Sequence, residues 1–198
     1  MGVREITRAM RKLGYIDLIA KTRMARTMRL RCPAKAALVA IGVTILSLPS
    51  AAGLSAAPLT IAVADFDFVD TSGEARDQSA EHTARVAKFA ELVRENLSAQ
   101  GDTSVLPFEC PQRPCTPISM GSDDFLAAAR RTGARFIVYG GIHKMSTLVQ
   151  NGLVEVLDLP GEKLLSKRTV SFRGDNDEAY RRAAAFVSDT VRDAMKGR

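Results

Sequence analysis

Histidine and cysteine are scarce, with two and three residues respectively in a chain of 198. Catalysis by an imidazole or a metal held by imidazole and thiolate needs several such groups to converge, and their spacing here offers no such set. His82 and His143 stand far apart in sequence, and neither has a Cys or a second His nearby. The sequence therefore reads both as ordinary polar residues, with His82 placed on the polar face of a helix. The longest apolar run, Ala36 to Leu48, is too short for a comfortable membrane span. There is no internal repeat. Gly140-Gly141 follows a strand with no helix behind it, so it is not a phosphate loop, and it marks a bulge or a close approach of backbones. No nucleophile, base and oxyanion donor are brought together by any motif.

What basicity there is belongs to one end. The chain carries a formal net charge of +6. Met1–Lys35 holds ten Lys and Arg against two Asp and Glu, leaving 18 of the 28 basic and 20 of the 22 acidic residues for the remainder. A nucleic-acid partner is thus not implied. The apolar run at 36–48, preceded by Arg29, Arg31 and Lys35 and followed by Ser50-Ala51-Ala52-Gly53-Leu54-Ser55-Ala56-Ala57, has the build of a signal peptide. Cleavage is expected after Ala52 or Ala56, and the uncleaved rival is a membrane anchor. A start at Met28 would give normal signal-peptide proportions; the alternative for the upstream residues is a weak basic helix over 4–31. The mature protein is then periplasmic or secreted, and meets the membrane only through its leader. Cys32 is lost with the leader. Cys110 and Cys115 remain, in an exported context where disulfides persist, and a short clamp between them is the preferred reading over a redox or metal pair.

The mature chain reads as a single α/β domain over 57–198, with a mixed sheet of about five strands in the order β-α-β-α-β-β-β-α and helices packed on it. Its organising stretch is Arg135 to Gly174, expected to give three strands at the centre of the sheet. Phe136-Ile137-Val138-Tyr139 has the unbroken apolar character of a strand buried on both faces. Leu159-Pro160-Gly161-Glu162 predicts a type II turn, with Gly161 at positive φ. On the strand that follows, Leu164, Val170 and Phe172 are expected on one side, and Lys167, Thr169, Ser171 and Arg173 on the other. The first strand, Leu59 to Asp70, should place Ile61 and Val63 on one face and Ala62, Ala64, Phe66 and Phe68 on the other. Val86, Phe89, Ala90, Val93 and Leu97 trace an amphipathic helix that Gly101 ends. Strand, helix and strand in this order predict a crossover with parallel strands. Ser122 is placed as the cap of the next helix, and Asp175 or Asn176 as the cap of the last.

The run from Gly140 through His143-Lys144-Met145-Ser146 to Arg173-Gly174 and Asp177-Glu178-Ala179-Tyr180-Arg181-Arg182, with an early strand ending in Asp65-Phe66-Asp67-Phe68, resembles a bacterial family of exported proteins, the domain-of-unknown-function family numbered 2380. The order of elements is similar, more distantly, to that of the amino-terminal domain of the translocation protein TolB. The resemblance implies export and, from the TolB group, binding of an envelope protein. It carries over no catalytic residue and no cofactor.

Two readings of function follow. The first is a non-enzymatic accessory or interaction module of the envelope. Its candidate functional residues are Asp65, Asp67, Lys144 and Arg173, and Lys144, Arg168 and Arg173 form a basic, solvated strip on the sheet. The second rests on the similarity of Asp65-Phe66-Asp67-Phe68-Val69 to the D-x-D motif of haloacid-dehalogenase-type phosphatases. Asp65 would then attack phosphorus, Asp67 would serve as acid and base beside Mg²⁺, and Gly121-Ser122-Asp123-Asp124 would stand for the later acidic motif. Against it, Asp123 and Asp124 follow a proline-rich loop rather than a strand. The plainer reading is that Asp65 and Asp67, at alternate strand positions, hydrogen-bond to loops or to a helix start.

Overall fold

The computed structural model describes residues 58–99 and 101–197, so the leader, its cleavage sites and the start at Met28 lie outside the described residues. The elements are β1 (Leu59–Asp70), α1 (Ser79–Ser98), β2 (Thr103–Leu106), α2 (Pro117–Met120), α3 (Ser122–Arg131), β3 (Phe136–Lys144), β4 (Val149–Asp158), β5 (Lys163–Arg173) and α4 (Asp177–Lys196). They build one five-stranded sheet in the order β2-β1-β3-β4-β5. β1 runs parallel to β2 and β3, as a strand-helix-strand crossover dictates, while β3, β4 and β5 form an antiparallel meander. The centre of the sheet is therefore β3, and β5 is an edge rather than a central strand.

Alternation along β3 divides the core in two. Phe136, Val138 and Ile142 face α1 and α4 together with Val154, Val156, Phe89, Tyr180 and Val187. Ile137 and Tyr139 face α3 and the cystine loop together with Phe125, Leu153 and Leu157. Gly140 lies in mid-strand, where a Cβ would stand 2.0 Å from the carbonyl oxygen of Leu153 and 3.1 Å from the Phe66 ring. Only glycine lets the two backbones come so close. β3 runs straight through the glycine pair, and the bulge it was expected to mark sits across from it, in β1. Val63 pairs with Val138 and Phe66 with Gly140, so Ala64 and Asp65 together oppose Tyr139.

That bulge reverses the expected facing of β1. Phe66 joins Ile61 and Val63 in the α1/α4 core with Phe68 packed against it, whereas Ala62 and Ala64 belong to the other core. A second register shift, between Val156 and Leu157 on β4, inserts Leu165 into β5. Leu164 consequently packs on the face opposite Val170 and Phe172. The turn before β5 is not type II: the positive φ, 48°, falls on Glu162 and not on Gly161. Glu162 N–H closes it on the Leu159 carbonyl at 3.4 Å. Gly101 takes φ +74° beyond the end of α1, as expected of a residue closing a helix. Gly121 rather than Ser122 is the N-cap residue of α3, and Asn176 caps α4 by accepting from Ala179 N–H at 2.9 Å.

Candidate functional site: a buried lysine network and a cleft at the carboxyl end of the parallel strands

Lys144 is the last residue of β3, and its even register directs it to the α1/α4 side. It is 0% exposed, so it cannot belong to a solvated basic strip. Arg168 and Arg173 are exposed as expected. Lys144 Nζ donates to Asp175 Oδ2 at 2.7 Å and to Glu74 Oε2 at 2.5 Å, with Asp70 Oδ2 at 3.8 Å. Burial alone would push this lysine toward neutrality, but the hydrogen bonds from Nζ to Asp175 and Glu74 outweigh it and hold the pKa above the ordinary lysine value.

Asp175, in the turn between β5 and α4, is the hub. Besides Lys144 it accepts from Arg85 at 2.6 Å, from His82 Nε2–H at 2.8 Å and from Gln150 Nε2–H at 3.2 Å. Desolvation raises its pKa, but the bonds from Lys144 and His82 overcome that and bring it down to about 2. Gln150 in turn accepts from the Tyr180 hydroxyl at 2.6 Å.

His82 is 2% exposed, not on a polar helix face. It stands four residues before Val86 and so extends the buried stripe of α1 by one turn, with the Phe68 ring 4.8 Å away. Its Nε2 also lies 3.3 Å from Lys144 Nζ. With Nε2–H given to Asp175, this is an approach of two donors held together by the carboxylate they share. His143 is separate from this group and meets Thr71 Oγ1 at 2.7 Å.

Asp65 and Asp67 have different surroundings. Beyond Leu106, β2 no longer covers the edge of β1, and the cystine loop takes its place. Asp65 N–H donates to the Cys115 carbonyl at 3.2 Å, and Cys115 N–H donates to Asp65 Oδ2 at 2.9 Å. Arg94 donates to Asp65 Oδ1 at 3.0 Å and to the Val63 carbonyl at the bulge, at 2.9 and 3.1 Å. Arg113 adds bonds to both Asp65 oxygens, at 3.1 and 3.2 Å. Both oxygens of Asp65 are thus committed to guanidinium and backbone donors, which is the loop-binding role expected of it and leaves a poor nucleophile. Asp67 is nearer to being an orphan: its Oδ2 is buried with no hydrogen-bond partner among the described residues. Burial raises its pKa to about 6, with the Thr116 hydroxyl opposing.

Cys110 and Cys115 are disulfide-bonded, with their Cα atoms 5.7 Å apart. A loop closed over so few residues removes little chain entropy from the unfolded state, about 2 kcal/mol. Reduction should therefore lower the melting temperature and leave the domain folded, as thermal unfolding followed by circular dichroism with and without reductant will register. Complete unfolding on reduction at room temperature would contradict this.

Between β1, the 71–78 loop, α1 and the cystine loop lies a cleft of about 750 Å³. Phe66, Phe68, Val86 and Pro114 give it apolar walls, and Asp67, Asp70, Glu74 and Arg113 give it polar ones. It opens at the carboxyl ends of the parallel strands, the position where open α/β sheets bind ligands. Glu74 and Asp70 belong to both cleft and lysine network, so Lys144 ties down one wall. Arg173, the remaining candidate, lies away from the cleft at the end of β5. Among the described residues no group of three or more His, Cys, Asp or Glu side chains is placed to hold a metal ion. No described helix is long and apolar enough to cross a membrane.

Set beside known proteins, this α/β domain falls in a family without assigned activity. Residues 59–191 match the family described as "Protein of unknown function (DUF2380)", and the chain belongs to it. No curated protein matches. Among solved structures the chain is similar to TolB from Acinetobacter baumannii, at 17% identity and a TM-score of 0.44 over 71% of this chain. It spans only 29% of that TolB chain. It is also similar to a PelC dodecamer from Paraburkholderia phytofirmans (14% identity, TM-score 0.41, 70% of this chain and 87% of that one). The C-terminal domain of LpoB from Salmonella enterica is a third (12% identity, TM-score 0.37, 59% and 85%). These are distant likenesses of fold.

Proposed function

We propose that the mature chain is an exported, non-enzymatic binding module, an accessory protein of the bacterial envelope that receives a segment of another protein in the cleft at the carboxyl end of β1. The observation that supports this reading is the state of the cleft's charges. Asp65 is neutralised by Arg94 and Arg113, and Glu74 by Lys144, so these two carboxylates are spent on holding the walls in place. Aromatic and aliphatic surface is left to contact a ligand, the composition of a preformed recognition site rather than of a reaction centre. Export rests on the leader and agrees with the cystine.

A photo-crosslinking residue at Ala87, exposed on the rim of the cleft, tests the reading in cells that produce the protein. One discrete protein adduct should form in the envelope fraction, on a mature chain whose amino terminus is Gly53 or Ala57. An intact Met1 or Met28 terminus on the folded protein would remove the export half of the proposal. Absence of any adduct, or Mg²⁺-dependent phosphate-ester hydrolysis by the purified protein, would remove the other half.

A further inference from the structure

The two edges of the sheet are finished differently. At one edge β2 is four residues long, and the cystine loop continues its cover of β1 through the paired bonds between Asp65 and Cys115. At the other edge β5 runs for 11 residues, and among the described residues no strand pairs with its outer side. A bare strand edge is a row of unpaired donors and acceptors, ready to template another strand.

Two features lie along that edge. On the α4 side Leu165, Val170 and Phe186, together with Arg168, Thr190 and Asp193, line a groove of about 380 Å³ between β5 and α4. Phe186 is 59% exposed although its helix neighbours Ala183, Ala184 and Val187 are buried, so it stands at the border of the sheet rather than in the core. The second feature is charge: β5 carries Lys163, Lys167, Arg168 and Arg173 and no acidic residue, and of these cations Lys167 is paired with Glu155 of β4. Two copies of β5 laid edge to edge would bring these cations together, which disfavours self-pairing.

We infer that β5 is a strand-addition site for an extended segment of a partner protein in which apolar and acidic residues alternate. Such a segment completes the hydrogen-bond ladder of β5. Its apolar side chains enter the groove beside Phe186 and Val170, and a carboxylate meets Arg173 on the opposite face, where Lys167 is already paired with the buried Glu155 of β4. The surface is separate from the cleft and does not depend on it.

The test uses the purified exported protein and a blocked nonapeptide alternating glutamate and valine. The peptide should bind and slow hydrogen exchange of β5 amides while leaving β2 unaffected. The same peptide N-methylated at every second residue, which removes one row of its donors and keeps its charge, should bind at least about tenfold more weakly. A lysine–valine version should not bind. Phe186→Ser and Arg173→Glu, both exposed positions outside the cores, should each weaken binding by about tenfold, and neither should alter crosslinking from Ala87. Equal binding of the N-methylated peptide would reduce the effect to diffuse electrostatics and overturn the proposal. So would a dimer in solution with β5 amides already protected, since the occupant would then be a second copy. No binding of the nonapeptide would overturn it as well, and loss of the Ala87 adduct alone would bear only on the cleft.

Discussion

Replacing Lys144 with alanine should cost about 3–5 kcal/mol of folding stability, the largest single effect expected in this protein. The substitution leaves the largely buried Asp175 without one of its two close cations and releases Glu74, and with it the 71–78 wall of the cleft. Urea unfolding of wild type and Lys144→Ala measures the loss. A loss below about 1 kcal/mol would mean that Arg85 alone neutralises the site, as exposed ion pairs typically contribute that little. The pH dependence gives a second signature. Asp175 is depressed from 3.8 to about 2. A carboxylate with a lowered folded pKa contributes its full stability above the unfolded value and loses it as pH falls through the folded one. For Asp175 this is about 2 kcal/mol lost between roughly pH 4 and pH 2. Asp70 and Glu74 are shifted the same way. At the alkaline end the sign reverses: Lys144, raised above 10.5, stabilises below that pH and ceases to as pH rises through its folded value. Lys144→Ala should flatten both limbs.

Part of this network was legible in the sequence. Position 144 shares the parity of Phe136, Val138 and Ile142, so the alternation of β3 already directs it to the α1/α4 core. Its charge suggested solvent, because lysine is so seldom fully buried. His82 likewise obeys the stripe of α1. What the sequence does not carry is the partnership: Lys144 and Glu74 are 70 residues apart, and His82 and Asp175 are 93 apart. Asp175 and Asn176 were equivalent candidates for the cap of α4, and only tertiary structure separates the cap, Asn176, from the buried hub, Asp175. The bulges were hidden for a different reason. Neither the Ala64-Asp65 bulge nor the Leu165 insertion is marked in its own strand by glycine or proline, yet each moves every later side chain to the opposite face. The bulge in β1 is betrayed only indirectly, by the glycine at position 140, which follows the residue opposite it and pairs with Phe66. It also makes Asp65 a clamp on the cystine loop, since the Val63 carbonyl at the bulge is what Arg94 binds alongside the Asp65 carboxylate.

Asp67→Asn should stabilise the protein at pH 7 by about 2–3 kcal/mol, an unusual outcome for a substitution in a core strand. The Asp67 pKa rises from 3.8 to about 6 because ionisation places charge on a carboxyl whose Oδ2 is buried without a partner. A carboxyl with a raised folded pKa favours the folded state below its unfolded value and loses that contribution as pH rises toward 6. At neutral pH the native protein therefore bears the full cost. Asparagine reproduces the shape of the protonated acid, including its unsatisfied group, and removes only the charge, so the gain should appear above pH 6 and vanish near pH 4. Asp65→Asn should do the opposite. It weakens the charge-assisted bonds from Arg94 and Arg113 and turns one oxygen into a donor facing other donors, so a loss of about 1–3 kcal/mol is expected at neutral pH. Thermal unfolding of the two variants across pH 4 to 8 separates them, and assay of wild type with Mg²⁺ and a generic phosphate ester accompanies it. A phosphatase would lose turnover by orders of magnitude in both variants, with stability nearly unchanged. Opposite stability shifts, with no turnover to lose, identify Asp65 as a structural clamp and Asp67 as a buried charge that the fold tolerates beside its cleft.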